Sequence, residues 1–137
     1  MRNDPYNDAV RQRFANPLHA GDVEAGYPQR LAGRAAESET GMSVVLAAEM
    51  EGDRISRLRF RSFGCPHLIA AAEEACSRLE GQDARGLQDF SAAQCLQLLE
   101  VPVEKTGRLL LLEDAVHALA SAISAREPSA PRAIDKD

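Results

Sequence analysis

The chain has 137 residues, 45% of them apolar and 27% charged, and a net charge of −5. That length supports one domain with a modest core, and an aromatic share of 4% with no Trp leaves Leu, Ala, Val and Ile to fill it. The negative balance argues against nucleic acid or an anionic membrane as partner, no run approaches the roughly 20 apolar residues of a membrane span, and Met1-Arg2-Asn3-Asp4-Pro5 has no apolar stretch behind it to act as a secretory signal.

Residues 6–15 set Tyr6, Val10 and Phe14 at intervals of four, with Arg11 and Arg13 off that stripe. This predicts a short amphipathic helix that stops before Asn16-Pro17. Residues 16–28 carry Pro17, Gly21, Gly26 and Pro28 and read as an ordered loop. Leu31 to Ala36 is a weak strand. Ser43–Met50 and Arg54–Phe63 are firmer strands joined by the hairpin turn Glu51-Gly52-Asp53. In the second of these, Leu58 and Phe60 face one way and Arg57, Arg59 and Arg61 the other. The arginines read as a solvated outer face in preference to an anion-binding stripe.

From Pro66 the period changes to 3.6. Leu68, Ile69, Ala72, Cys76 and Leu79 form one face, and Glu80-Gly81 closes the helix. Ser91 can cap a short helix carrying Cys95, Leu96 and Leu99. The longest helix follows Pro102 and runs to about Ala125, with Leu109, Leu112, Val116, Leu119 and Ile123 as its buried stripe. Residues 127–137, with two prolines, small residues and charges, read as a disordered tail behind a single domain over 1–126. The predicted architecture is α+β: a small antiparallel sheet of about three strands with helices packed on one face.

Cys65 is the most chemically suggestive residue. It stands where Phe63-Gly64 hands over to Pro66 and the helix, beside the free N–H groups and positive end that favour a thiolate. Cys76 lies inside an apolar stripe and Cys95 follows the same logic, so both read as core thiols. The three are 11 and 19 residues apart with no Cys-x-x-Cys pair, which supports neither a disulfide framework nor a closed zinc site and points to a reducing cytoplasm. His67 makes a Cys-x-His pair with Cys65; the ligand reading is weighed against a surface or capping histidine, which is favoured. His19 and His117 read as structural or solvent-facing, and Glu73-Glu74 and Glu113-Asp114 as solvated acidic pairs. No phosphate-binding Gly-rich loop occurs.

The order of these segments resembles the iron–sulfur cluster scaffold family, IscU and the N-terminal domain of NifU. Tyr6-Asn7-Asp8-Ala9-Val10 with Phe14-Ala15-Asn16-Pro17 and Gly21 is similar to that family's opening helix and loop. Ile55–Phe60 followed by Phe63-Gly64-Cys65 resembles its strand and central Gly-Cys motif, and Ile69-Ala70-Ala71-Ala72 and Glu80-Gly81 its following helix. Pro102, Lys105 and Leu111-Leu112-Glu113-Asp114-Ala115 resemble the start of its last helix. The likeness covers about residues 5–125.

The resemblance implies an IscU/NifU-N-like fold and a role in iron–sulfur cluster assembly as a scaffold, not an enzyme. It also implies a cysteine desulfurase or another assembly protein as partner. The family holds a nascent [2Fe–2S] cluster on three cysteines and an aspartate, with a histidine nearby. Carried over residue by residue, only Cys65 remains. The family's Cys-Gly-Asp falls on Thr40-Gly41-Met42, or Glu39 takes the first position, so that its aspartate falls on Met42 or Gly41, and its His-Cys falls on Gly107-Arg108. Its chaperone-recognition stretch becomes Val101-Pro102-Val103-Glu104-Lys105, keeping Pro102 and Lys105 as partner-binding candidates. At an effective dielectric of about 20, a unit charge about 4 Å away is worth roughly 4 kcal/mol. A guanidinium at position 108 therefore repels iron and attracts a thiolate or persulfide. The expectation is persulfide or partial cluster handling through Cys65, aided by His67 or Glu39. A homodimer supplying two Cys65 thiolates is one way to hold iron or a cluster; holding none and docking a partner is the alternative.

Overall fold

The computed structural model describes residues 6–23 and 30–126, so the reading of a tail over 127–137 lies outside them. In chain order come α1 (Asp8–Ala15), β1 (Arg30–Ala36), β2 (Ser43–Glu51), β3 (Arg54–Phe63), α2 (Pro66–Leu79), α3 (Ala93–Leu99) and α4 (Thr106–Ala125). A 3₁₀ turn over Ala84–Asp89, which the sequence pattern did not signal, links α2 to α3, and a shorter one over Val103–Lys105 leads into α4. The strands form one antiparallel sheet in the order β1-β2-β3.

Alternation turns Val44, Leu46, Ala48 and Met50 of β2, with Leu58 and Phe60 of β3, into the core. Ile55 and Leu58 are both buried although three positions apart. A bulge makes this possible: Met50 pairs with Ile55 while Glu49 pairs with Arg57, leaving Ser56 as the extra residue. The Ser56 hydroxyl donates to the Glu49 carbonyl at 2.8 Å.

Helix α4 lies against β1 at Gly33. A Cβ built there would meet the Leu119 backbone nitrogen at 2.2 Å and the Ala115 carbonyl oxygen at 2.5 Å. Only glycine permits this approach. It seats the predicted stripe of Leu109, Leu112, Val116, Leu119 and Ile123 in the core. Helix α2 is buried on nearly every side, His67, Leu68 and the whole of Ala70–Cys76 included, and not on the single face the periodicity suggested. It touches α1, α3, α4 and β3, and its alanines let them close in.

The free edge of β3 is closed at three points. Phe60 donates to the His19 carbonyl at 2.9 Å, and the Phe60 carbonyl accepts from Gly21 at 2.8 Å. The Leu58 N–H donates to the Glu80 carboxylate at 2.9 Å, while Ile55 exchanges bonds with Gln82 and Gly81. Glu80 also accepts from Arg59 at 2.6 Å and meets His19 Nε2 at 3.1 Å; His19 Nδ1 meets Glu73 at 2.7 Å.

Glu73, Glu74 and Glu113 are accordingly structural, while Asp114 is exposed as expected. Glu73 and Glu74 are buried, Glu73 holding His19 and Glu74 accepting from Arg13 and Arg78. Glu113 accepts the Ala92 N–H where α3 begins, at 2.8 Å. His117 sits 3.0 Å from the Phe90 carbonyl. On the outer sheet face Arg57, Arg59 and Arg61 pair singly with Glu49, Glu80 and Asp22.

Two predictions follow from this packing. Gly33→Ala should cost about 3 kcal/mol in urea unfolding, because the obstruction is backbone. Gly86→Ala, with nothing within 4 Å of the added Cβ, should stay within about 0.5 kcal/mol. For Glu80, burial alone would raise the carboxyl, but the Leu58 N–H, Arg59 and His19 together hold it below its ordinary 4.5. That stabilisation is full above the unfolded-state value and is lost as pH falls through the lower folded value. Glu80→Gln should therefore be less stable at neutral pH and show a shallower acid limb when urea midpoints are followed against pH.

Candidate functional site

Cys65 is the N-cap of α2, with extended backbone (φ −77°, ψ 163°), and its side chain makes no capping bond. Its carbonyl accepts instead from Leu68 at 3.0 Å and Ile69 at 3.2 Å, and Pro66 starts the helix without an N–H to satisfy. The thiol is half-buried, whereas Cys76 and Cys95 are enclosed in the core. Burial pushes the Cys76 thiol far up, with Glu73 and Glu80 adding to the shift and Arg59 opposing it. Burial likewise raises Cys95 to about 11. Of the three cysteines, only Cys65 is not fully buried.

The loop across from Cys65 is set by a compact turn. Gly41 donates to the Glu37 carbonyl and Glu37 to the Met42 carbonyl, both at 2.9 Å, with Gly41 at φ 77°. Thr40 is engaged inside the turn: its hydroxyl donates to Glu37 at 2.7 Å and accepts the Met42 N–H at 3.2 Å. Glu39 is exposed at the tip. Met42 points inward and is only 6% exposed. A Cβ on Gly64 would stand 2.8 Å from Leu68 Cδ2 and 3.2–3.3 Å from Met42 Cγ and Sδ, so the residue beside Cys65 must be small and its inner wall is hydrocarbon and thioether.

His67 departs from the surface or capping role favoured for it. It is fully buried, with neither ring nitrogen hydrogen-bonded, and its ring lies 4.7 Å from that of Tyr6. Positions two apart around a helix start point away from each other, which sends the imidazole inward while Cys65 stays at the rim. Burial first, then the charges of Lys105 and Arg108, holds His67 below its ordinary value. Lys105 Nζ sits 5.5 Å from the Tyr6 ring centroid. Pro102, Lys105 and Arg108 are each partly exposed at the entry to α4.

The structure thus gathers Cys65, Met42, Gly64 and Leu68 in one place, and His67, Tyr6, Lys105 and Arg108 in another just behind the cysteine. Glu39 and Thr40 belong to the turn. Among the described residues no three His, Cys, Asp or Glu side chains converge as a metal would require. Tyr6 as the cover of His67 escaped the sequence reading. Its place on the apolar stripe of the opening helix was the one available signal.

The buried imidazole carries its own prediction. A histidine whose folded-state value is depressed stabilises the fold above the unfolded value of 6.5, and that stabilisation is lost as pH falls toward the folded value. His67→Phe, which removes two unsatisfied nitrogens while keeping a ring against Tyr6, should match or exceed wild-type stability by about 1–2 kcal/mol. Its urea midpoint should change less than wild type's as pH falls below 6.5.

Comparison with known proteins bears on the same region. Residues 5–129 match the NifU-like N terminal domain family. The chain is 26% identical over 116 residues to iron sulfur cluster assembly protein 1 of Trachipleistophora hominis, covering 85% of this chain and 84% of that one. It is 25% identical over 114 residues to the iron-sulfur cluster assembly scaffold protein IscU of Azotobacter vinelandii, covering 82% and 89%. In shape it follows the N-terminal NifU-like protein of Brucella abortus, with a TM-score of 0.65 at 13% identity over 86% of this chain and 91% of that one.

Proposed function

This chain belongs to the NifU-like N-terminal domain family, and from that premise we propose that it serves iron–sulfur cluster assembly as a non-enzymatic sulfur carrier through Cys65. In this reading it does not hold a complete cluster within one chain. The observation that carries the reading is the contrast among its thiols: Cys65 is half-exposed at a helix start, and the other two are sealed in the core. The entry to α4 adds positive charge at this end of the domain: Lys105 and Arg108 are near enough to His67 to hold it below its ordinary value, on the side of the helix start away from the thiol. Positive charge there opposes a metal cation.

The step is an exchange. The Cys65 thiolate attacks the outer sulfur of a donor persulfide; a new S–S bond forms on Cys65 as the donor's S–S bond breaks, and the donor leaves as its thiolate. No net oxidation occurs. A cysteine desulfurase of the assembly machinery is the donor this family membership suggests. Iron or a cluster is cargo in this scheme, and the residues at positions 40, 42 and 108 do not offer it the thiolates and carboxylate that the wider resemblance sets there.

A second reading rests on that same shortage of ligands: the domain docks an assembly partner and transfers nothing. One experiment separates the two. Native protein treated with a small-molecule persulfide, then blocked and digested, should carry one added sulfur on Cys65 and none on Cys76 or Cys95. Absence of that modification, or its appearance on the core thiols of folded protein, overturns the carrier reading. Cys65→Ser protein that still binds a desulfurase would then favour docking alone. Visible absorption and stoichiometric iron after anaerobic reconstitution of monomeric protein would instead restore cluster holding.

A further inference from the structure

The two edges of the sheet are treated differently. The β3 edge is closed by His19–Gly21, the Glu80 carboxylate and Gly81–Gln82. Strand β1 is the other edge. Among the described residues no backbone or side-chain hydrogen bond reaches the β1 main chain from anything but β2. A seven-residue strand whose outer edge is paired by none of the described residues presents a row of N–H and C=O groups to any extended chain beside it.

The side chains on that edge select what fits. Register sets Arg30, Ala32, Arg34 and Ala36 on the outer face and Leu31, Gly33 and Ala35 toward α4. Leu31 and Ala35 are only half-buried. Arg30 is held by Asp22 at 2.9 Å. Arg34 is exposed and has no ion-pair or hydrogen-bond partner among the described residues. The nearest acid along the chain, Glu37, accepts from Thr40. A second guanidinium, Arg61, stands on the far side of Val45 in the same cross-strand row, and its 3.5 Å contact with Asp22 leaves its side chain 63% exposed.

A second copy of this chain is a poor occupant. Antiparallel β1-to-β1 pairing centred on Ala32, Gly33 or Arg34 puts Arg34 directly opposite, or diagonal to, an arginine of the other copy. Like charges so placed destabilise a sheet pair. The same guanidinium that guards against self-association attracts a carboxylate.

We infer that the β1 edge receives an extended segment of a partner protein in which acidic and apolar side chains alternate. The acidic ones lie beside Arg34 on the outer face, and the apolar ones cover Leu31 and Ala35. Main-chain bonds supply the grip and Arg34 the choice of sequence. This surface is independent of Cys65, and its failure leaves the sulfur-carrier reading untouched.

The test titrates the full chain with a synthetic peptide of alternating Val and Glu, against a Val/Lys peptide and a Val/Glu peptide N-methylated at every residue. Hydrogen exchange of the β1 amides is read alongside. The Val/Glu peptide should bind and slow exchange in β1, the other two should not, and binding should weaken about tenfold in Arg34→Glu and by less in Arg34→Ala. Unchanged urea midpoints would certify the fold of both variants. Failure of the Val/Glu peptide to bind, equal binding of the Val/Lys peptide, indifference to Arg34→Glu, or β1 amides left unprotected would each overturn the proposal. So would a concentration-dependent dimer whose β1 amides are already protected in the free protein.

Discussion

The contact on which the rest of the molecule depends is the one without a side chain: Gly33 of β1 against the backbone of α4 at Ala115 and Leu119. A helix that touches a strand main chain to main chain can neither slide nor rotate without striking a wall. That contact fixes the register of α4 on the sheet and so the place where its first turn emerges. Lys105 and Arg108, which bring positive charge to His67, stand where they do because the helix is pinned at its middle. The charge beside His67 is thus anchored some way along the domain.

The second organising feature is the polar seam between α2, the loop after α1 and the edge of β3. Hydrocarbon cannot satisfy the N–H groups of an edge strand, and this fold meets them with the Glu80 carboxylate and the backbone around His19. His19 joins Glu80 to Glu73, so the loop, the helix and the strand share one network. With its C-terminal half so fastened, α2 carries its N-cap, Cys65, at a set distance along the helix from that seam. The position of the one cysteine outside the core is thus tied to carboxylates further along the same helix.

Much of this was legible beforehand because it is periodic. Leu58 and Phe60 alternating with arginines marked β3, the Glu51-Gly52-Asp53 turn marked its hairpin with β2, and the Leu109–Ile123 stripe marked α4. The arrival of Pro66 after Gly64-Cys65 marked the junction that bears the thiol. What escaped is what depends on distant partners. Glu73 read as solvated because nothing local says that His19, 54 residues earlier, will meet it, and Arg13 stands 61 residues from Glu74. His67 read as exposed because its cover, Tyr6, comes from the far end of the chain. The Ser56 bulge was invisible for another reason: it changes the phase of the alternation without changing the residues that alternate. The assignment of Thr40, Met42 and Arg108 to positions of interest came from resemblance, and their conformations from the fold alone.

Met42 has a consequence for the history open to such a domain. Its side chain fills the space beneath Gly64 and against Leu68, in a spot almost closed to solvent. An aspartate there would bury a lone carboxylate among methyl groups and leave a void where the longer chain had been. A change toward an oxygen donor at this site therefore passes through a weakened fold unless its neighbours change in concert. Good packing here acts as a ratchet, holding the loop to its present chemistry more firmly than selection on that chemistry alone would require.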